Sequence, residues 1–171
     1  IGLMGAGKTS IGRKLGERFD IEFIDADAEI VKVAGCSIAD LFEIDGEPKF
    51  RDLEEKVINR LLRKGPIVLA TGGGAFMNPR IRDAIKIHGL SIWLKASLNV
   101  LVERTSGRTD RPLLKEGDPQ EILGDLIDKR YPFYSEADLT IETDTENINQ
   151  TLDSIVTALC NNGLNLNENS R

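Results

Sequence analysis

Apolar and polar positions follow two periods along the chain, one typical of helices and one typical of short buried strands. Ile11, Leu15 and Phe19 recur every four residues and predict a first helix from about Thr9 to Phe19. Short strands are predicted at residues 22–25, 67–70, 90–94 and 137–142, of which residues 67–70 form an apolar run typical of a buried strand. Helical patterns cover residues 79–88, 97–104, 119–134 and 146–161. This alternation of helices and strands predicts an α/β fold.

A longer helical segment, about residues 28–64, separates the first two predicted strands. Ser37 is a plausible N-cap within it, and Gly46 a plausible stop, so we expect two successive helices from residue 37 onward. The apolar stripe of the second helix leaves Arg51 and Glu54 three residues apart on another face. From spacing alone, the favoured interpretation of these two residues is a surface ion pair.

Residues 2–9 (GLMGAGKT) match the pattern of a glycine, four free positions and Gly-Lys-Thr that binds polyphosphates. Glycines let the backbone amides point at phosphate oxygens, Lys8 adds a cation, and the Thr9 hydroxyl can bind magnesium. The alternative is a glycine-rich turn with a chance Lys-Thr. A buried strand should precede such a loop, yet only Ile1 does, so we expect that the chain is trimmed at its start.

Two further groups lie where predicted strands end, which is the edge where α/β folds bind ligands. Asp25 and Asp27 follow the first strand, although either could instead cap the helix that begins near Ala28. Three glycines, residues 72–74, follow the second strand. Successive glycines let the backbone lie against a ligand, whereas the alternative is a flexible loop without one.

Residues 105–118 are polar, rich in charge and without periodicity. Long loops in compact domains are usually functional lids or disordered segments. Because this one carries Arg108 and Arg111, with Arg104 at its hinge, we expect a mobile lid that closes over transferring phosphate. Residues 162–171 contain few apolar side chains and are expected to be a frayed tail.

Composition narrows the possible classes of protein. The 171 residues are 40% hydrophobic and 29% charged, which suits one domain spanning residues 1–171. The net charge of −6 argues against a nucleic-acid partner, and no apolar run is long enough for a membrane span. Cys36, Cys160 and His88 have no metal-like spacing, which argues against zinc sites and Ser-His or Cys-His catalysis. We therefore expect a cytoplasmic protein.

The motifs in combination resemble the shikimate kinases. The matching stretches occur in the same order across nearly the whole chain: residues 2–10, Ile24-Asp25-Ala26-Asp27, Phe50-Arg51-Asp52-Leu53-Glu54, Thr71-Gly72-Gly73-Gly74, Arg111-Pro112-Leu113-Leu114 and Arg130-Tyr131-Pro132-Phe133-Tyr134. The resemblance implies a P-loop fold like that of nucleoside monophosphate kinases, a three-layer α/β/α sandwich around a central five-stranded parallel sheet. It also implies transfer of the γ-phosphoryl group of MgATP to the 3-hydroxyl of shikimate by a monomer, with no membrane partner.

The same resemblance assigns roles on the nucleotide side. The residues expected to bind ATP are Gly5, Ala6, Gly7, Lys8, Thr9, Ser10, Arg104 and Arg111. Lys8 would neutralise charge between the β- and γ-phosphates, and Arg111 would reach the transferring group from the lid. Arg104 would lie along the adenine. Mg²⁺ would be bound directly by Thr9 and through water by Asp25.

On the acceptor side, the resemblance implies that Asp27 hydrogen bonds the reacting hydroxyl and that Arg51 and Arg130 hold the shikimate carboxylate. Gly73 and Gly74 would bring backbone amides to the substrate. For Arg51 this implication outweighs the ion pair that spacing favours. The alternatives are a gluconate or nucleoside monophosphate kinase of the same architecture, which a substrate panel would separate, and a nucleotide-binding module without turnover.

Overall fold

The computed structural model describes residues 1–106, 117–144 and 147–164. Helices and strands alternate along it in this order: α1 (Lys8–Phe19), β1 (Glu22–Asp25), α2 (Ala26–Ala34), α3 (Ile38–Leu62), β2 (Ile67–Ala70), a 3₁₀ turn (Ala75–Met77), α4 (Pro79–His88), β3 (Ile92–Lys95), α5 (Leu98–Thr105), α6 (Pro119–Tyr134), β4 (Leu139–Glu142) and α7 (Ile148–Asn161). The predicted α/β fold is confirmed, and most predicted boundaries fall within two residues of those observed.

The strands associate as two parallel pairs. β1 pairs with β2, with Glu22 opposite Ile67, and β3 pairs with β4, with Ile92 opposite Leu139. In both pairs the carboxyl ends of the strands therefore lie at the same edge. The loop after β1 and the loop after β2 meet there, which brings the two candidate carboxylates close to the three glycines.

The expected five-stranded sheet is not confirmed, because the described residues form four strands. Ile1 takes part in strand-like pairing beside β3: its amino group donates to the carbonyl of Ile92 (2.7 Å), and its carbonyl accepts from the amide of Leu94 (3.0 Å). One residue before Gly2 is too short to count as a strand. The pairing nevertheless fixes the direction in which the chain enters the phosphate loop.

α3 contains the break that the sequence predicts. Ser37 caps the helix reciprocally with Asp40, and Gly46 lies within it at φ 78° and ψ 169°, outside helical geometry. Pro48 follows, where a proline suits the start of a new helical turn. The helix therefore consists of two segments that meet at an angle, and the second segment carries Arg51 and Glu54 toward the end of β2.

Two apolar clusters hold these elements in place. The larger one gathers α1, α4, α7 and the strands β3 and β4 around Leu3, Trp93 and Ile155, each at most 5% exposed. The smaller one joins α2 and α3 to β1 through Ile30, Phe50 and Val57. Trp93, in β3, is a core residue. Among the described residues, none of the helices is long and apolar enough to cross a membrane.

Candidate active site

The phosphate loop is shaped by glycines in conformations that other residues avoid. Gly5 and Gly7 have φ angles of 84° and 89°, and Gly7 directly precedes α1. A Cβ built at Gly5 would lie 3.0 Å from Cγ2 of Thr105 in α5, so the loop also packs closely on that helix. The result is a turn that leads directly into the positive end of the α1 dipole, where phosphate is favoured.

Lys8 begins α1, and its side chain turns back over the loop. Its amine donates to the carbonyl of Leu3 at 2.9 Å. The amine is therefore held against the backbone of the phosphate loop. The structure places Gly5, Ala6, Gly7, Thr9 and Ser10 in the same turn and first helical residues.

Thr9 and Asp25, predicted separately as magnesium residues, lie side by side. The Thr9 hydroxyl donates to Oδ2 of Asp25 at 3.0 Å. The other oxygen of Asp25 accepts from the amides of Asp27 and Ala28 and caps α2. The cap interpretation is thus confirmed for Asp25, while one of its oxygens still faces the loop. A hydroxyl and a carboxylate are hard oxygen donors, so this pair fits Mg²⁺.

The three glycines after β2 are each faced by a different charged side chain. A Cβ built at Gly72 would lie 2.8 Å from Oδ1 of Asp27, one at Gly73 would lie 3.0 Å from Nη1 of Arg130, and one at Gly74 would lie 2.5 Å from Nη1 of Arg51. None of the three has a positive φ. Glycine is required here because a side chain would clash with these charged groups, and not because of the backbone conformation. The loop thus brings three predicted substrate residues together.

Arg51 forms the ion pair that its spacing predicts, but the pair is not a surface one. Its Nη1 donates to Oε2 of Glu54 at 2.8 Å, and Glu54 is only 1% exposed. Glu47, 62% exposed, binds the other edge of the guanidinium through contacts of 3.0 and 3.2 Å. The two glutamates thus fix the plane of Arg51 against Gly74.

Glu54, which the sequence prediction did not include in the site, completes a charged cluster with Asp27, Arg51 and Arg130. Its Oε1 would lie 3.1 Å from a Cβ at Gly72, beside the carboxylate of Asp27. Burial raises the pKa of Glu54, and the charge of Asp27 acts in the same direction, whereas Arg51 and Arg130 oppose the shift. Two carboxylates and two guanidinium groups therefore share one small volume. The Arg-x-x-Glu spacing was visible in the sequence, but the burial of the glutamate was not.

Arg130 reaches the cluster from α6 and lies next to Tyr134, one turn further along the helix. Tyr134 is fully buried, and its hydroxyl donates to the carbonyl of Gly73. Tyr134 lies within one of the motifs shared with the shikimate kinases, but the resemblance assigns it no role. In the sequence, the only indication of such a role is an aromatic residue four positions after Arg130.

Arg104 lies at the end of α5, where its Nη2 donates to the carbonyl of Thr143 at 2.6 Å, just after β4. The guanidinium is thereby held beside the end of β4, while the next residue of α5, Thr105, packs on Gly5 of the phosphate loop. Arg111 and most of the predicted lid, residues 107–116, lie outside the described residues. So do residues 165–171 of the predicted tail.

Comparisons with known proteins agree with this geometry. The shikimate kinase family model matches residues 4–160. A shikimate kinase of Paramagnetospirillum magneticum is 53% identical over 146 residues, which cover 85% of this chain and 75% of that protein. The solved structure of a shikimate kinase from Acinetobacter baumannii in complex with shikimate matches with a TM-score of 0.90 and 38% identity, covering 95% of this chain and 92% of its own.

A gluconokinase from Sinorhizobium meliloti is similar in structure, with a TM-score of 0.65 and 19% identity, covering 100% of this chain and 95% of its own. At that identity the likeness shows the fold alone. It agrees with the predicted architecture, a P-loop fold like that of nucleoside monophosphate kinases, and it does not favour gluconate as the acceptor.

Proposed function

We propose residue roles for a chain that belongs to the shikimate kinase family. The chain is an ATP-dependent phosphotransferase with an alcohol acceptor, and its reaction transfers the γ-phosphoryl group of ATP to shikimate, giving shikimate 3-phosphate and ADP. One observation carries the assignment of the acceptor site: Asp27, Arg130 and Arg51 face three successive glycines at the end of β2.

The nucleotide side is proposed to bind ATP through the turn of residues 5–10. Backbone amides of this turn point at the phosphates, and Lys8 leaves the carbonyl of Leu3 to neutralise charge that develops between the β- and γ-phosphates. Arg104, fixed against Thr143, offers a flat cationic surface to the adenine. If Lys8→Ala did not weaken ATP binding or slow phosphoryl transfer, the role of Lys8 would be wrong.

Mg²⁺ is proposed to bind with ATP at Thr9 and Asp25, whose oxygens lie 3.0 Å apart. The metal, when bound, supplies positive charge that offsets the phosphate oxygens. Thr9 would bind it directly, and Asp25 would hold a coordinated water while its other oxygen continues to cap α2. Thr9→Ala should raise the Mg²⁺ concentration needed for half-maximal rate, whereas Ser10→Ala should change it little. Equal effects would contradict the assignment.

The acceptor side is proposed to bind shikimate between α3, α6 and residues 72–74. Arg51 and Arg130 hold its carboxylate by charge-assisted hydrogen bonds, while the backbones of Gly73 and Gly74 allow close approach. Asp27 accepts a hydrogen bond from the reacting 3-hydroxyl, orients it toward the γ-phosphate and takes its proton as transfer proceeds. Thr9 donates to Asp25, and Asp27 lies two residues beyond Asp25, so donor and acceptor would meet at the carboxyl end of β1.

The test of the acceptor site is steady-state kinetics of Arg51→Ala and Arg130→Ala. Each loses hydrogen bonds to a charged group, so the KM for shikimate should rise roughly 10- to 100-fold with little change in the KM for MgATP. Arg60→Ala is the matched control, because Arg60 lies on the same helix as Arg51 but forms an exposed pair with Glu29. An unchanged KM for shikimate in both variants would overturn the assignment.

Arg111 keeps the role of a lid arginine that reaches the transferring phosphoryl group, which the family resemblance alone supports. Single-turnover rates for Arg111→Ala should fall by orders of magnitude, as for other mobile arginines in phosphoryl transfer, and a normal rate would refute the role.

The remaining expectations are a cytoplasmic location and a monomeric state. Gel filtration with light scattering tests the second, and a stable dimer would contradict it.

A further inference from the structure

Tyr134 is a buried phenol that no step of the proposed mechanism uses. It ends α6, is fully buried, and donates its hydroxyl hydrogen to the carbonyl of Gly73. Gly73 is the middle glycine of the loop, and Arg130 faces it from the same helix. A tyrosine hydroxyl that binds the backbone of a substrate loop therefore lies beside an arginine proposed to hold the substrate.

The ring of Tyr134 is fixed by its aromatic neighbours. Its centroid lies 5.9 Å from that of Trp93, 6.4 Å from that of Phe76 and 6.1 Å from that of Tyr131, in tilted arrangements. Trp93 belongs to β3, and Phe76 to the 3₁₀ turn that follows the glycines. The ring thus reaches from β3 to the glycine loop, and its hydroxyl cannot turn away without disturbing that packing.

The hydroxyl is also held in its donor form. Burial raises the pKa of Tyr134 to about 12, although the charge and hydrogen bonding of Arg130 oppose the shift. A neutral phenol has one hydrogen to donate and lone pairs that accept. It can therefore donate to Gly73 while its oxygen faces the Arg130 guanidinium, so that one side chain contacts two of the groups proposed to bind shikimate.

We propose that Tyr134 is a positioning residue of the acceptor site, which holds the Gly73 carbonyl and the Arg130 guanidinium in the geometry that binds shikimate. It touches neither substrate nor reacting atoms. The inference rests on the proposed assignment of Gly73 and Arg130 to shikimate. It predicts that the hydroxyl matters for the acceptor and not for the nucleotide.

Tyr131 offers a matched control. It lies on the same helix, and its ring packs against Trp93 at 4.8 Å. Its hydroxyl also donates to a backbone carbonyl, that of Ala96, which lies between β3 and α5 rather than in the glycine loop. Tyr131→Phe and Tyr134→Phe therefore remove the same chemical group from the same aromatic cluster, but only the second change removes it from the proposed acceptor site.

The experiment measures the KM for shikimate, the KM for MgATP and kcat in both variants. Tyr134→Phe should raise the KM for shikimate about tenfold, the usual effect of losing one buried hydrogen bond, with less than about twofold change in the KM for MgATP. Tyr131→Phe should leave the KM for shikimate within about twofold. A merely structural role would lower kcat with the folded fraction and change neither KM, and this result would overturn the inference.

Arg130→Ala separates failure of this inference from failure of the acceptor site. If Arg130→Ala raises the KM for shikimate and Tyr134→Phe does not, the site stands and the positioning role is wrong. If neither raises it, the proposed site is wrong as well.

In the double variant, Tyr134→Phe should add less than about twofold, because its effect acts through Arg130. A full tenfold addition would contradict the proposed coupling. KM does not depend on the active fraction, so a partly folded preparation still gives the answer.

Discussion

The nucleotide side and the acceptor side of the site are built by different means. The nucleotide side, residues 2–10 with Asp25 and α5, takes its shape from the backbone, through Gly5 and Gly7 at positive φ and a lysine amine that rests on the carbonyl of Leu3. The acceptor side, α2, α3, residues 72–74 and α6, takes its shape from charged side chains that hold one another, chiefly Arg51 with Glu54 and Glu47.

This difference predicts different responses to mutation. On the proposed nucleotide side, most contacts to a phosphate would come from amides that any residue carries, so the conformation of the loop should decide binding. On the acceptor side, the orientation of each guanidinium depends on buried partners. Removing a partner that never touches the substrate should therefore change the affinity for shikimate, while the affinity for MgATP stays near its original value.

The largest effect is expected at Asp27, where the two sides meet. Asp27→Asn keeps the size of the side chain but removes the charge that we propose accepts the hydroxyl proton. kcat should fall by about 10²- to 10⁴-fold, the usual range for loss of a general base, with ATP binding preserved. Asp52→Asn, at an exposed carboxylate of α3, should leave both unchanged. Turnover near normal in Asp27→Asn would show that the carboxylate has no such role.

A smaller effect is expected from a methyl group added to the glycine loop. The Cβ of Gly72→Ala would lie 2.8 Å from Oδ1 of Asp27 and 3.1 Å from Oε1 of Glu54, so one carboxylate must shift. Such misplacement should lower kcat/KM for shikimate up to about 100-fold. Gly89→Ala is the control, since its Cβ would meet neighbours only at 3.7 and 3.8 Å. If the two variants behaved alike, crowding at Gly72 would not matter.

The smallest effect is expected at Glu54, where a substitution should weaken shikimate binding without lowering the stability of the fold. Glu54→Gln weakens the anchor of Arg51, so the KM for shikimate should rise roughly fivefold. Burial raises the pKa of Glu54, which means that the folded state disfavours the ionised form of this carboxyl. The free energy of unfolding at neutral pH should therefore not fall, and urea titration measures it.

The pH dependence follows from the sign of that shift. A carboxyl with a raised pKa binds its proton more tightly in the folded state, so it contributes stability at low pH that is lost as the pH rises through the raised pKa. Any stability advantage of Glu54→Gln should shrink as the pH is lowered. Glu47→Gln, at the exposed partner of the same arginine, should change stability by less than about 0.5 kcal/mol. A large loss of stability in Glu54→Gln would contradict this account.

Much of the fold could be predicted because its signals are local. The apolar run of β2, the Ser37 cap and the break at Gly46 all act within a few residues. The five-stranded sheet, a number that came from the family resemblance, was not confirmed, because the described residues form four strands. Ile1 pairs with β3 but is a single residue.

The candidate site was predictable where a motif carries its own chemistry and unpredictable where it depends on tertiary contacts. The pairing of Thr9 with Asp25 follows from the two motifs and the parallel strands. The contact of Tyr134 with Gly73 joins segments that are distant in sequence, so spacing could not reveal it. Spacing could not reveal the burial of Glu54 either, because charged residues are usually exposed. Spacing alone described Arg51 as a surface pair because it gives no information on burial.

The most direct test of the central claim, that residues 72–74 gather the acceptor site, is a crystal structure of this protein with shikimate bound. The account predicts the shikimate carboxylate about 3 Å from the guanidinium groups of both Arg51 and Arg130, and the 3-hydroxyl within hydrogen-bond distance of Asp27. A carboxylate bound away from both arginines, or a 3-hydroxyl pointing away from Asp27 and the phosphate loop, would contradict it.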